Sequence, residues 1–89
     1  GEKVWEFPLW PEFCKQIKSE IADVKNTGAP MQAGTIAGGA FLKEFVDSKI
    51  PWVHFDIAGT AWGVKPDSVN PKGSATGVGV RLVLDMFGV

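Results

Sequence analysis

Trp52-Val53-His54-Phe55-Asp56-Ile57-Ala58-Gly59-Thr60-Ala61-Trp62 joins an alternating, apolar segment to a run of small residues. In an extended chain Val53, Phe55 and Ile57 share one face, and Trp52, His54 and Asp56 share the other. Large side chains on both faces predict an interior strand over residues 52–57, covered above and below, in an α/β sheet. In such sheets ligands sit beyond the carboxyl ends of the strands, where loops diverge and helix N-termini gather. Ala58-Gly59-Thr60-Ala61 holds that position. Two readings stand at this point. One is a pocket wall, in which small side chains leave volume and Gly59 lets a backbone or ligand approach closely. The other is a tight strand-to-loop turn under neighbouring helices, which spacing alone favours.

Three helices are expected around that strand. Trp10, Phe13, Cys14, Ile17 and Ile21 recur at helical spacing, with Pro11 suited to a first turn, so residues 11–20 read as a helix. Residues 21–25 read as a short extended piece before the turn formers Asn26-Thr27-Gly28-Ala29-Pro30. A second helix is expected from Gly34-Thr35, with Thr35 as N-cap, to about residue 47, burying Ile36, Ala40, Phe41 and Phe45. Gly38 and Gly39 inside it cost ~1 kcal/mol each against Ala, so a neighbour should come close to that face. The last helix is expected over residues 75–87, stopped by Gly88. Its residues Val78, Val80, Leu82, Val83, Leu84, Met86 and Phe87 are apolar almost all round, which marks a buried helix. Two helices and one strand cannot wrap it. The faces therefore predict more of the domain than these residues hold.

The chain has 89 residues, 45% of them apolar, with four Trp and six Phe, and is globular in composition. A net charge of −1 with scattered basic residues gives no footprint for nucleic acid. Its one cysteine, Cys14, cannot form an internal disulfide and favours a reducing compartment. No apolar run approaches the ~20 residues of a membrane span. No internal repeat or domain boundary appears, so residues 1–89 read as one segment.

Few side chains offer chemistry. Asp56 is expected to be a buried carboxylate that accepts hydrogen bonds from loop amides. A lone His54 is a packed residue sooner than a ligand, and Cys14 on an apolar helix side is a small hydrophobe. Lys72-Gly73-Ser74-Ala75-Thr76-Gly77-Val78-Gly79-Val80-Arg81-Leu82 lacks the lysine ending and the preceding strand of a phosphate loop. Its glycines instead suit close packing at the start of a helix. The acidic residues other than Asp56 fall on helix faces and loops, so this chain does not assemble the five or six donors of a two-metal centre.

Taken with Ala33-Gly34-Thr35-Ile36 and Ala40-Phe41-Leu42-Lys43-Glu44-Phe45-Val46, these motifs resemble the C-terminal end of the leucyl (cytosol) aminopeptidase family of two-zinc exopeptidases. The likeness runs from Gly1-Glu2-Lys3-Val4-Trp5 almost to the last residue. It implies a fragment of a three-layer α/β/α catalytic domain, with about three helices and one or two strands. It implies a parent enzyme of the cytoplasm that removes N-terminal amino acids from peptides, uses two divalent metals (zinc, with manganese tolerated), and assembles as a homo-hexamer. Partners would be the remainder of the catalytic domain and the peptide substrate, with neither nucleic acid nor membrane. The family's Asn-Thr-Asp-Ala-Glu-Gly-Arg motif and its catalytic lysine segment do not occur here, so no residue of this chain is expected to be catalytic or to bind metal. The chain alone is expected to be inactive.

The resemblance also assigns residues. Ala58 and Ala61 match positions that line the pocket for the substrate's first side chain, with Val64 as a third. Some relatives carry methionine where Ala61 stands, which implies a roomier pocket here. Thr27, Ala33 and Gly34 match the loop bordering the next subsite. The resemblance implies that Arg81 pairs with a carboxylate at a packing contact. The competing reading is a stand-alone structural or self-associating binding module without activity, in which a second copy covers the apolar last helix.

Overall fold

The computed structural model describes residues 2–66 and 70–89. It divides into two compact units, one of Glu6–Phe55 and one of Asp56–Val89 with the N-terminal residues up to Trp5.

In Glu6–Phe55, helix α1 spans Pro11–Cys14 and continues as a 3-10 turn over Lys15–Ile17. Pro11 starts α1 because its fixed φ suits a first turn and its missing N–H would have had no partner there. The expected helix over residues 11–20 thus stops early. Lys18 turns extended (ψ 140°), and the Ser19 hydroxyl accepts from the amides of Ile21 (3.3 Å) and Ala22 (3.1 Å). Such local side-chain bonds offer the backbone an alternative to the helix. The Lys25 amide then donates to the Ile17 carbonyl at 2.9 Å, folding residues 21–25 back over the buried Ile17 without forming a strand.

Helix α2 spans Gly34–Lys43 and packs on α1 and the 3-10 turn. Its buried residues are Ile36, Ala37, Gly39 and Ala40, which with Ile17 form the core of this unit. The N-cap is Ala33 in a left-handed conformation (φ 47°), in place of the expected Thr35. The helix ends four residues short of residue 47. Amides of Phe45 and Val46 bond three residues back, tightening the last turn, and the Asp47 carboxylate accepts from the Lys49 amide at 2.9 Å. Phe45 meets Phe41 edge-on (5.1 Å, 66°) yet is 69% exposed, so its expected burial is not met here. Of the two interior glycines only Gly39 has a close neighbour. A Cβ there would lie 3.6 Å from Leu9 Cδ2 and 3.7 Å from His54 Cδ2, whereas at Gly38 it would meet open space.

The strand expected over residues 52–57 forms no ladder, and no strand occurs among the described residues. The alternation read from the sequence survives at its start. Trp52 and His54 are half-buried and stack (6.2 Å, 13°), while Val53 and Phe55 turn outward. A strand needs a neighbour for its backbone groups. None of the described residues supplies one, so the α/β layering is not formed within them.

In the second unit, α3 is a single turn, Ala58–Ala61, and α4 spans Val80–Met86. The last helix therefore begins five residues later than expected. Gly77 (φ 66°) and Gly79 (φ 88°) adopt left-handed conformations that a right-handed helix cannot contain. Its end matches the expectation at Gly88. With Gly88 left-handed (φ 69°), its amide donates to Asp85 O (3.1 Å) and that of Val89 to Leu84 O (3.0 Å), the paired bonds of a Schellman stop. Expected to be buried, α4 instead exposes Val80, Val83, Leu84 and Met86, with Phe87 beyond it 78% exposed.

Candidate functional site

The small-residue run after residue 57 is α3 itself. Its turn is closed by Thr60 and Ala61 amides donating to Ile57 O at 3.0 and 2.8 Å. The Thr60 hydroxyl reaches the same carbonyl at 3.2 Å. The Ala58 amide donates to Asp56 Oδ1 at 3.2 Å, so Asp56 accepts from a backbone amide, though that of the first residue of α3 and not of a loop. Its expected burial is corrected, since Asp56 is exposed. Of the candidate pocket residues, Ala58 is exposed and Ala61 half-buried, at opposite ends of the turn. Gly59 lies between them without a close neighbour; a Cβ there would meet nothing within 4 Å. Val64 lies three residues beyond the turn, in a groove of about 530 Å³ lined also by Trp62, Pro66, Pro71, Lys72 and Ser74.

Thr27, Ala33 and Gly34 belong to the Glu6–Phe55 unit and are all exposed. Ala33 and nearby Met31 (φ 57°) carry left-handed backbones that L-residues other than Asn and Asp seldom adopt. Each such residue stores ~1–2 kcal/mol. Gly34 opens α2 with nothing within 4 Å of an added Cβ.

Two residues that sequence reading gave no role organise the second unit. The Glu2 carboxylate accepts from the Gly79 amide (3.1 and 3.0 Å) and the Leu82 amide (3.3 Å). These are the N-cap and third-residue amides of α4, and the negative charge also suits that end of the helix dipole. Arg81 pairs with the same carboxylate at 3.7 Å, as the resemblance implies. The Glu2 side chain is only 9% exposed against 70% for Arg81, so the amide bonds hold Glu2 more than the ion pair does. No local spacing signals a cap that reaches across 77 positions.

The second residue is Thr76. Its hydroxyl donates to Thr60 O at 2.7 Å and its amide to Ala61 O at 3.3 Å, binding the glycine-rich segment to α3. Only its place in that segment could have hinted at the role.

Among the described residues no three His, Cys, Asp or Glu side chains gather as a metal site. No helix among them is long and apolar enough to cross a membrane.

The model of the cytosol aminopeptidase family, catalytic domain, matches residues 1–84. The chain belongs to the cytosol aminopeptidase family. It is 56% identical over 86 residues to a protein of Syntrophotalea carbinolica named "Probable cytosol aminopeptidase", covering 97% of this chain. A protein of the same name from Roseiflexus castenholzii is 57% identical over 86 residues, covering 94% of the chain. Another from Prochlorococcus marinus AS9601 is 50% identical over 84 residues, again covering 94%. In each case the match takes in 17% of the relative's length, so this family member spans about a sixth of the aminopeptidases it resembles.

Proposed function

We propose that residues 1–89 form one stretch of the catalytic domain of a metal-dependent leucyl aminopeptidase, which removes N-terminal amino acids from peptides. The observation that carries this reading is the family match over residues 1–84. In the intact enzyme residues 52–57 join a sheet of a three-layer α/β/α domain, and α4 is covered by the remainder of that domain. Ala58, Ala61 and Val64 line the pocket for the substrate's first side chain, and Thr27, Ala33 and Gly34 border the next subsite.

Among the described residues the His, Cys, Asp and Glu side chains form no cluster of three that would fit a pair of divalent metals. In this reading zinc, or manganese in its place, is held by residues outside this stretch. A homo-hexamer in the cytoplasm belongs to the same reading. What this chain does for the reaction is to shape and orient. Small side chains at residues 58–61 leave room for the substrate, and the turn that carries them is held from Ile57 on one side and Thr76 on the other.

The test is Ala61→Met in the full-length enzyme. It should lower kcat/KM for a leucine anilide more than for an alanine anilide, by roughly ten- to two-hundred-fold in their ratio. A loss of folded protein would depress both substrates equally, so the ratio isolates the pocket. Equal losses for leucine and alanine would make Ala61 a packing residue and remove it from the site.

A further inference from the structure

One turn of helix does not hold itself. A four-residue helix leaves its last carbonyls without intrahelical partners, and nucleating a lone turn is unfavourable. The last two of these in α3 are Thr60 O and Ala61 O, and Thr76 meets both, with its hydroxyl at 2.7 Å and its amide at 3.3 Å. The hydroxyl is itself oriented. Its oxygen accepts from the Val78 amide at 3.3 Å, which directs its single proton elsewhere, to Thr60 O. Gly77, left-handed at φ 66°, turns the chain between residues 76 and 78 so that one threonine makes all three bonds. Thr76 is half-buried and sixteen positions from Thr60, so this clamp is tertiary. The last of the clamped carbonyls belongs to Ala61, and the turn it closes carries Ala58.

We propose that Thr76 is a positioning residue for substrate specificity: through the Thr60 and Ala61 carbonyls it fixes where the Ala58 and Ala61 methyls stand against the substrate's first side chain. The proposal rests on reading Ala58 and Ala61 as pocket residues. Thr76 touches no substrate. Losing its hydroxyl releases Thr60 O and leaves only the amide bond to Ala61 O at that end of α3, which loosens the pocket wall and affects a large side chain that fills the pocket more than a small one that does not.

The experiment compares Thr76→Val, Thr76→Ser and Thr76→Cys in the full-length enzyme, with Ala61→Met alongside. kcat and KM are measured separately for leucine and alanine anilides. Valine keeps the shape and removes the hydroxyl, serine keeps the donor, and cysteine keeps a weak one. Thr76→Val should lower the leucine-to-alanine ratio of kcat/KM at least about threefold, mainly through KM for leucine, while Thr76→Ser holds the wild-type ratio. If the valine variant does not fold, Thr76→Cys carries the test with a smaller shift in the same direction. A purely structural role would lower both substrates together and leave the ratio fixed. An unchanged ratio in Thr76→Val, or in Thr76→Cys where valine fails, beside a changed one in Ala61→Met overturns the positioning role alone. An unchanged ratio in Ala61→Met overturns the pocket reading, and the proposal with it.

Discussion

Replacing Gly28 by Ala places a methyl group against two close neighbours, and the outcome follows from which of them can move. The added Cβ would stand 2.6 Å from Gln16 Oε1 and 2.8 Å from Ala37 Cβ. Gln16 Oε1 has no hydrogen-bond partner, so the amide can swing aside without breaking one. Ala37 cannot yield in that way. Its Cβ is fixed to the backbone of α2, and the residue is 2% exposed. Carbon atoms in good contact lie ~3.5–4.0 Å apart, so the turn or the helix must shift by roughly 0.7–1.2 Å. Gly28 is not among the positive-φ glycines, so the penalty is steric rather than torsional. Overpacking of this kind costs ~1–3 kcal/mol, offset by ~0.4–1 kcal/mol from the lower entropy of the unfolded chain. The two terms leave a net loss of roughly 0–2.6 kcal/mol in urea unfolding of the intact protein followed by tryptophan fluorescence. Ala37→Gly should cost ~1 kcal/mol alone through helix propensity. Because it vacates the space the new methyl needs, the double variant should be more stable than the sum of the two losses by at least ~1 kcal/mol. Additive losses in the pair would refute the contact between the turn and α2.

Two further outcomes are expected. Glu2→Ala should destabilise the protein by ~1–2 kcal/mol, because Gly79 and Leu82 amides lose their acceptor at the start of α4; Glu2→Gln should keep more than half of that, and Arg81→Ala should cost under ~1 kcal/mol, since Arg81 is largely exposed. Equal effects of Glu2→Gln and Glu2→Ala in thermal unfolding would make the charge, and not the amide bonds, the cap. Gly59→Ala meets no atom within 4 Å and should leave stability within about half a kcal/mol, while lowering kcat/KM if substrate approaches α3 there; a clear stability loss with unchanged kinetics would place Gly59 at a packing contact instead.

Family membership was legible in residues 33–36, 40–46, 52–62 and 72–82, because each motif is local and needs no partner to be read. The Gly88 stop, the early part of α2 and the alternation of residues 52–55 between two faces were legible for the same reason, since capping, helical spacing and alternation act within a few residues; the exposure of Val53 and Phe55, expected to be covered, was not. The ends of the first two helices and the start of the last were not. The first helix ends where Ser19 captures amides of its own neighbours and Lys25 takes the Ile17 carbonyl, and the last begins only after two left-handed glycines. Those are choices between conformations of similar local free energy, which propensity alone does not separate. The candidate site divides in the same way. The small side chains of Ala58 and Ala61 could be read from the sequence, because volume is a property of the residue itself. That a carboxylate at position 2 caps a helix at position 79, and that Thr76 closes the turn at residues 58–61, was decided only in three dimensions. A hydrogen bond between residues 16 or 77 positions apart leaves no periodicity in the chain, and only folding brings its donor and acceptor within reach.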